Sequence, residues 1–233
     1  MFALKRYTED LINLLFPALC NGCGKLLYHG ENDICAQCLY DLPLTDFHKF
    51  EDNPVAKQFW GRLPLHAATA MLYFKKGTKV QNLMHSLKYK NQTQVGVKLG
   101  QLMGNRLKLA ETYQDIDWVI PVPLHQKKLK LRGYNQSEYI AKGLANELGV
   151  QMDIKSLFRN KATESQTKKA RYHRYENMQD VFGVKEINDL ADKHVLLVDD
   201  VITTGATLEA CGNTLLAHGI KKLSIAALAF AEQ

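Results

Sequence analysis

Four aliphatic residues, Val195-Leu-Leu-Val198, run into two adjacent carboxylates, Asp199 and Asp200. Val201-Ile202 and the polar turn Thr203-Thr204-Gly205-Ala206-Thr207 follow. A continuous apolar run of this kind suits a strand buried on both faces, which belongs to a parallel sheet covered by helices. Beyond the turn, Leu208, Cys211, Leu215 and Leu216 recur at helical spacing, and Gly219 supplies a C-terminal stop. A chain containing this strand–turn–helix is held to an α/β architecture.

The neighbouring segments agree. Ala67–Phe74, Trp118–Val122 and Leu223–Phe230 read as strands. Lys79–Leu87, Val95–Leu109 and Asn135–Leu148 read as helices, the last ending at Gly149. Strands alternating with helices predict a parallel-rich sheet with right-handed crossovers and a ligand site at the carboxyl ends of the strands. Pro43, Pro54 and Pro64 punctuate a loop-like stretch with Asp46, Glu51 and Asp52. The expected organisation is an N-terminal helix and cysteine domain over 1–45, a linker over 46–65 and the α/β domain over 66–233. Within the first twenty residues, Leu4, Leu11, Leu14 and Leu15 predict a short amphipathic helix rather than a signal peptide. No apolar run is long enough to span a bilayer, so no membrane insertion is expected.

Four of the five cysteines fall within nineteen residues, as Cys20-x-x-Cys23 and Cys35-x-x-Cys38. Two such knuckles can close a tetrahedral Zn²⁺ site, a structural pattern that leaves no open position for catalysis. Two disulfides or an iron–sulfur cluster are the alternatives. The cytoplasmic location implied by the lack of an export signal disfavours the first. His29 is a fifth donor nearby and is expected at the surface. Cys211 is expected in the core.

The turn after the acid pair has its own chemistry. A helix N-terminus attracts a phosphate through unpaired amides and the dipole, Gly205 admits close approach, and Thr203, Thr204 and Thr207 add donors. Asp199 and Asp200 would repel that phosphate, so they must face hydroxyls or a cation. A ribose 5-phosphate satisfies both demands. The segment closely resembles the phosphoribosyl pyrophosphate (PRPP) motif of type I phosphoribosyltransferases. The resemblance implies that fold. It also implies that Asp199 and Asp200 hold the ribose hydroxyls while Thr203 to Thr207 hold the 5′-phosphate. Val198, Val201, Gly205 and Ala206 are included in the contact set.

A second string, Pro121-Val-Pro123 to Gln136, places Lys127, Lys128, Lys130 and Arg132 in a basic loop after an earlier strand. By the same resemblance this loop meets pyrophosphate, with Arg132 best suited to bidentate contact and Gly133, Tyr134 and Asn135 beside it. A third, from Arg159 to Asn177, is long, polar and basic, as in a flexible catalytic lid. Lys168 and Arg171 there join Asp199, Asp200 and Arg132 as the expected catalytic residues. The two knuckles, the Arg132-Gly-Tyr-Asn-Gln136 string, the lid and the acid–threonine motif together resemble the ComF family.

That resemblance implies PRPP and Mg²⁺ as ligands, and a role in DNA uptake during natural transformation, with DNA-uptake proteins as partners. If turnover occurs, a nitrogen nucleophile displaces pyrophosphate, the acceptor lying under residues 66–110. A binding module is the competing expectation: the formal charge of +6, the knuckles and Tyr134, Tyr172 and Tyr175 among basic residues suit single-stranded DNA. A sensor that binds PRPP without turnover is a third.

Overall fold

The computed structural model describes residues 17–160, 181–185 and 189–232. Residues 1–16, which carry most of the expected amphipathic helix, lie outside them. The strands are β1 (Ala67–Tyr73), β2 (Trp118–Pro121), β3 (Gln151–Met152), β4 (Leu157–Arg159), β5 (Phe182–Val184), β6 (His194–Ile202) and β7 (Lys222–Phe230). The helices are α1 (Ala36–Tyr40), α2 (Pro54–Phe59), α3 (Lys79–Tyr89), α4 (Thr93–Leu107), α5 (Gln126–Arg132), α6 (Gln136–Leu148) and α7 (Ala206–Ala217).

Five strands form one sheet in the order β1-β7-β6-β2-β3, and every pair is parallel. Leu196 and Val198 share one core with Leu83 and Leu87 of α3, Leu99 of α4 and Ile140 of α6. Val195 and Leu197 share the other core with Phe59 of α2 and with Leu208, Cys211 and Leu215 of α7. Helix α6, on the way from β2 to β3, therefore covers one face, and α7, after β6, covers the other. These two strands are neighbours, so their carboxyl ends open on a topological switch point, the crevice that ligands occupy in such sheets.

Two helices on the first face touch backbone to backbone. A Cβ on Gly143 would lie 2.1 Å from the Val97 carbonyl oxygen, and one on Gly100 2.1 Å from that of Ile140. Hydrogen is the sole side chain that permits this approach of α4 and α6.

Residues 46–65 do not form a loop-like linker. Asn53 caps α2 by accepting from the amides of Val55 and Ala56, with Pro54 as its first residue. The Asn53 amide also donates to Ala68 O of β1 at 2.8 Å. Val55, Phe59 and Leu63 are buried in the second core, each contributing about 2 kcal/mol by apolar burial. The cysteine segment is equally continuous with the body. Cys20, Ile34, Cys38 and Leu42 join Val80 and Leu83 of α3 in the first core. Asn82 donates to Gly22 O at 2.9 Å, and Lys79 pairs with Asp41 at 2.7 Å.

At the amino ends of the strands, the ring nitrogens of His194 lie 2.8 Å from Asp115 Oδ1 and 2.8 Å from Ser224 Oγ. Ser224 is wholly buried, so this Ser–His–Asp chain is a lock on the sheet, with no accessible nucleophile. Gly143→Ala should destabilise the protein by about 2–3 kcal/mol or more; urea unfolding measures this, and a neutral result would contradict the close helix contact.

Candidate functional site

β6 runs through both carboxylates to Ile202 rather than stopping at them. Successive side chains of a strand alternate, so the two acids have different neighbours. Asp200 is 6% exposed, and Lys88 Nζ in the last turn of α3 lies 2.8 Å from its Oδ2. That oxygen has no aligned hydrogen-bond donor among the described residues. Asp199 Oδ1 accepts from Ser137 Oγ at 3.0 Å and from the Asp200 amide at 2.8 Å. Burial foremost, then the Asp200 charge, pushes the Asp199 carboxyl up to about 7; the Asp200 amide, Ser137 and Lys88 pull the other way. A buried carboxylate oxygen lacking an aligned donor, beside a second carboxylate, is a hard donor set that fits a hard divalent cation such as Mg²⁺.

Gly205 begins the next helix at φ 73°, a left-handed conformation open to glycine. A Cβ there would also lie 2.8 Å from the Phe59 ring. Thr203, Thr204 and Thr207 are exposed at the N-terminus of α7, where the dipole favours an anion. The turn is fastened from the segment expected as a linker. Gln58 Nε2 donates to Thr203 O at 3.0 Å, and Arg62 Nη1 donates to Thr204 O at 3.3 Å while pairing with Glu209. The threonine carbonyls are thus held from residues 58–62, while Thr204 Oγ1 accepts from the Ala206 amide at 3.5 Å.

The basic stretch expected as a loop is helix α5, capped at its start by His125 and closed by Gly133 at φ 80°. Lys128 and Arg132, four apart, share a face; Lys127 and Lys130 lie round the helix from it. Arg132 donates to Gln136 Oε1 at 2.7 Å, and its guanidinium lies 5.0 Å from the Tyr89 ring centroid. Tyr134 donates its hydroxyl to Leu87 O, tying α3 to the start of α6. Asn135 is buried. Its amide donates to Val122 O at 3.0 Å, and its oxygen caps α6 by accepting from the Ser137 amide. Its side chain serves the backbone, not the crevice. Val198 is wholly buried in the core beneath the site.

The lid residues Lys168 and Arg171 lie outside the described residues. The ends of that segment are joined, since β4 and β5 pair antiparallel from Leu157↔Val184 to Arg159↔Phe182.

Sequence reasoning missed Lys88, Tyr89, Ser137, Gln58 and Arg62. Lys88-Tyr-Lys90 carries a weak signal, as a basic end to a helix. Gln58 and Arg62 carry none, because only the packing of α2 brings them to a turn some 145 residues on.

The second cluster is compact. The sulfurs of Cys20, Cys23, Cys35 and Cys38 all lie within 4.8 Å of one another, and none is in a disulfide. The amides of Gly22 and Cys35 approach Cys20 Sγ at 3.4 and 3.3 Å, and that of Cys38 approaches Cys35 Sγ at 3.4 Å. Burial raises the Cys20 thiol, but the backbone amides of Cys35, Cys23 and Gly22 outweigh it and bring the group down to about 6. Cys38 is pushed strongly up by burial and by its neighbouring sulfurs. Four thiolates crowd together stably only around a cation, so the cluster is compatible with a structural metal. His29 is exposed and outside the cluster.

The Phosphoribosyl transferase domain family matches residues 135–233, which include the acid pair and the threonine turn. The chain is 29% identical to Competence protein F of Haemophilus influenzae, over 63% of this chain and 66% of that one. The chain carries a phosphoribosyl transferase domain and, with the four-cysteine cluster ahead of that domain, is similar to the ComF family. It is also 27% identical to the DNA utilization protein YhgH of Shigella flexneri, over 89% of this chain and 88% of that one. Among solved structures, glutamine PRPP amidotransferase from B. subtilis matches with a TM-score of 0.41 and 16% identity, covering 61% of this chain and 30% of that one. No helix among the described residues is long and apolar enough to cross a membrane.

The raised Asp199 pKa sets a pH dependence. Between about pH 4 and pH 7 the folded chain holds a proton that the unfolded chain has released. The stability this proton lends is full at the acid end and lost as pH rises through about 7. Asp199→Asn should therefore melt above the parent at pH 8, by about 2–4 °C per kcal/mol recovered. The gap should shrink toward pH 5; equal melting at pH 8 would show that Asp199 is not strained.

Proposed function

We propose that this ComF-like chain binds PRPP with Mg²⁺ at the crevice between β2 and β6, and that it serves DNA uptake and utilisation. One observation carries the ligand reading. The acid pair, with Asp199 half-buried and Asp200 buried, stands five residues ahead of Gly205, the cap of the anion-seeking α7 N-terminus, with the intervening turn fastened by Gln58 and Arg62. A ligand with a diol or cation at one end and a phosphate at the other meets both demands. Asp199 and Asp200 take the ribose hydroxyls and the cation, the turn from Thr203 to Thr207 takes the 5′-phosphate, and Arg132 takes pyrophosphate. Mg²⁺, when bound, would neutralise pyrophosphate against the acid pair. In a transfer reaction the bond from the anomeric carbon to pyrophosphate breaks as a nitrogen nucleophile bonds to that carbon. Arg132 then stabilises the leaving group, and the two aspartates the electron-poor ribose.

The names of the relatives, Competence protein F and DNA utilization protein, support the DNA role. A second reading has the chain bind single-stranded DNA directly and keep the fold without turnover. The exposed lysines 127, 128 and 130, with Tyr89 62% exposed nearby, favour it. Tyr134 no longer does, because its hydroxyl is engaged and its ring packs edge-on against Tyr139.

We further assign the cysteine metal as Zn²⁺. A tetrahedron with Zn–S of about 2.3 Å has edges of about 3.8 Å, and Cys23 Sγ lies 3.9 Å from Cys35 Sγ. We also propose a cytoplasmic location, in keeping with free cysteines poised as metal ligands.

Calorimetry with PRPP and Mg²⁺ should give saturable binding that Asp199→Ala/Asp200→Ala abolishes and Arg132→Ala weakens about tenfold or more; silence at millimolar ligand would end the phosphoribosyl reading. A pyrophosphate-release screen over nucleobases then separates enzyme from sensor. Direct DNA binding predicts affinity that falls steeply with salt. Elemental analysis should find one zinc per chain, lost in Cys38→Ser, and chelation should expose residues 17–42 to protease; a metal-free chain that resists protease there would refute the assignment.

A further inference from the structure

Lys88 stands where a cation would act. Its Nζ is 2.8 Å from Asp200 Oδ2, the buried oxygen without an aligned donor. We propose that Lys88 is the site's resident counter-ion: it keeps a free divalent cation off the acid pair and gives way when that cation arrives with a polyphosphate. The inference rests on the phosphoribosyl reading for the identity of the polyphosphate, but the exclusion of the cation can be tested without it.

The surroundings allow the side chain to move while its backbone stays fixed. Lys88 is 23% exposed along its side chain and has a flexible four-carbon stem. The helix beneath it is anchored at three points: Asn82 donates to Gly22 O, Tyr134 donates to Leu87 O, and Leu83 and Leu87 are wholly buried. An ammonium in contact with Asp200 Oδ2 repels a divalent ion approaching the same oxygen. Either alone can neutralise the carboxylate; together they repel unless an anion stands between them. Tyr89, the next residue, lies under Arg132. A pyrophosphate held by Arg132 would therefore lie beside the end of α3, where the Lys88 ammonium can pass from carboxylate to phosphate. Cation and polyphosphate then favour each other's binding, because the polyphosphate receives the charge that the cation displaces.

The test uses Mn²⁺ as probe with the full chain in its metal-replete form, read by electron paramagnetic resonance of free Mn²⁺ and by thermal melting. The wild-type chain should take up no Mn²⁺ alone and should take it up with PRPP. Lys88→Gln should bind Mn²⁺ alone about tenfold or more tighter than wild type, and Mn²⁺ should raise its melting temperature. Lys88→Arg should behave as wild type, and Lys88→Gln/Asp200→Asn should lose the gained affinity. Equal Mn²⁺ binding by wild type and Lys88→Gln, at any level, overturns the proposal. If Lys88→Gln does not fold, the wild-type arm still decides, since stoichiometric Mn²⁺ uptake without polyphosphate overturns it too. If wild type takes up no Mn²⁺ with PRPP, the phosphoribosyl reading fails, while the contrast between wild type and Lys88→Gln in Mn²⁺ alone still judges the exclusion.

Discussion

Two like charges at the carboxyl end of the central strand set the terms for the rest of the molecule. A buried carboxylate pair is tolerated only if it is neutralised, by protonation, by hydrogen bonds or by a cation. The protein applies all three: a raised Asp199, donors from Ser137 and the Asp200 amide, and the Lys88 ammonium. Each comes from a different element, so β6, α3 and the start of α6 must hold a common geometry.

Helix α3 carries that geometry across the molecule. Its first turns pack against the four-cysteine module through Val80 and Leu83, and Asn82 reaches Gly22. Its last turn supplies Lys88 to the acid pair, Tyr89 to Arg132 and the Leu87 carbonyl to Tyr134. A segment as small as residues 17–42 has little core of its own, and a metal staple is the usual remedy. Here the four-cysteine module in turn packs against the helix that brings Lys88 to the acid pair. On the opposite face α2 does similar work, with Phe59 against Gly205 and Gln58 and Arg62 on the threonine carbonyls.

The sheet was legible because its strands are short, apolar and separated by helices of clear period. β1, β2, β6, β7 and helices α3, α4, α6 and α7 lie within a few residues of expectation. Pro54 misled: proline marks a loop in sequence, yet it is also favoured as the first residue of a helix, and Asn53 ahead of it is the cap. The basic run 127–132 misled in the same way, since charge suggested a loop and the His125 and Gly133 caps made a helix. Asn135 and Tyr134 were expected at the ligand, but their polar groups bind Val122 and Leu87. Such roles depend on a partner distant in sequence, and local pattern does not encode it.

The sequence by itself determined the chemistry on offer: two carboxylates and a threonine–glycine turn on one strand–turn–helix, and four thiols in two knuckles. These are local arrangements, written in consecutive residues and fixed by backbone sterics and hydrophobic period. The tertiary structure alone decided what completes them. It brought Lys88 to Asp200 across 112 positions and Ser137 to Asp199 across 62. It turned an apparent linker into the brace of the threonine turn. Long-range packing sets those contacts, because buried charges and orphaned carbonyls accept whichever partner the closed core presents to them.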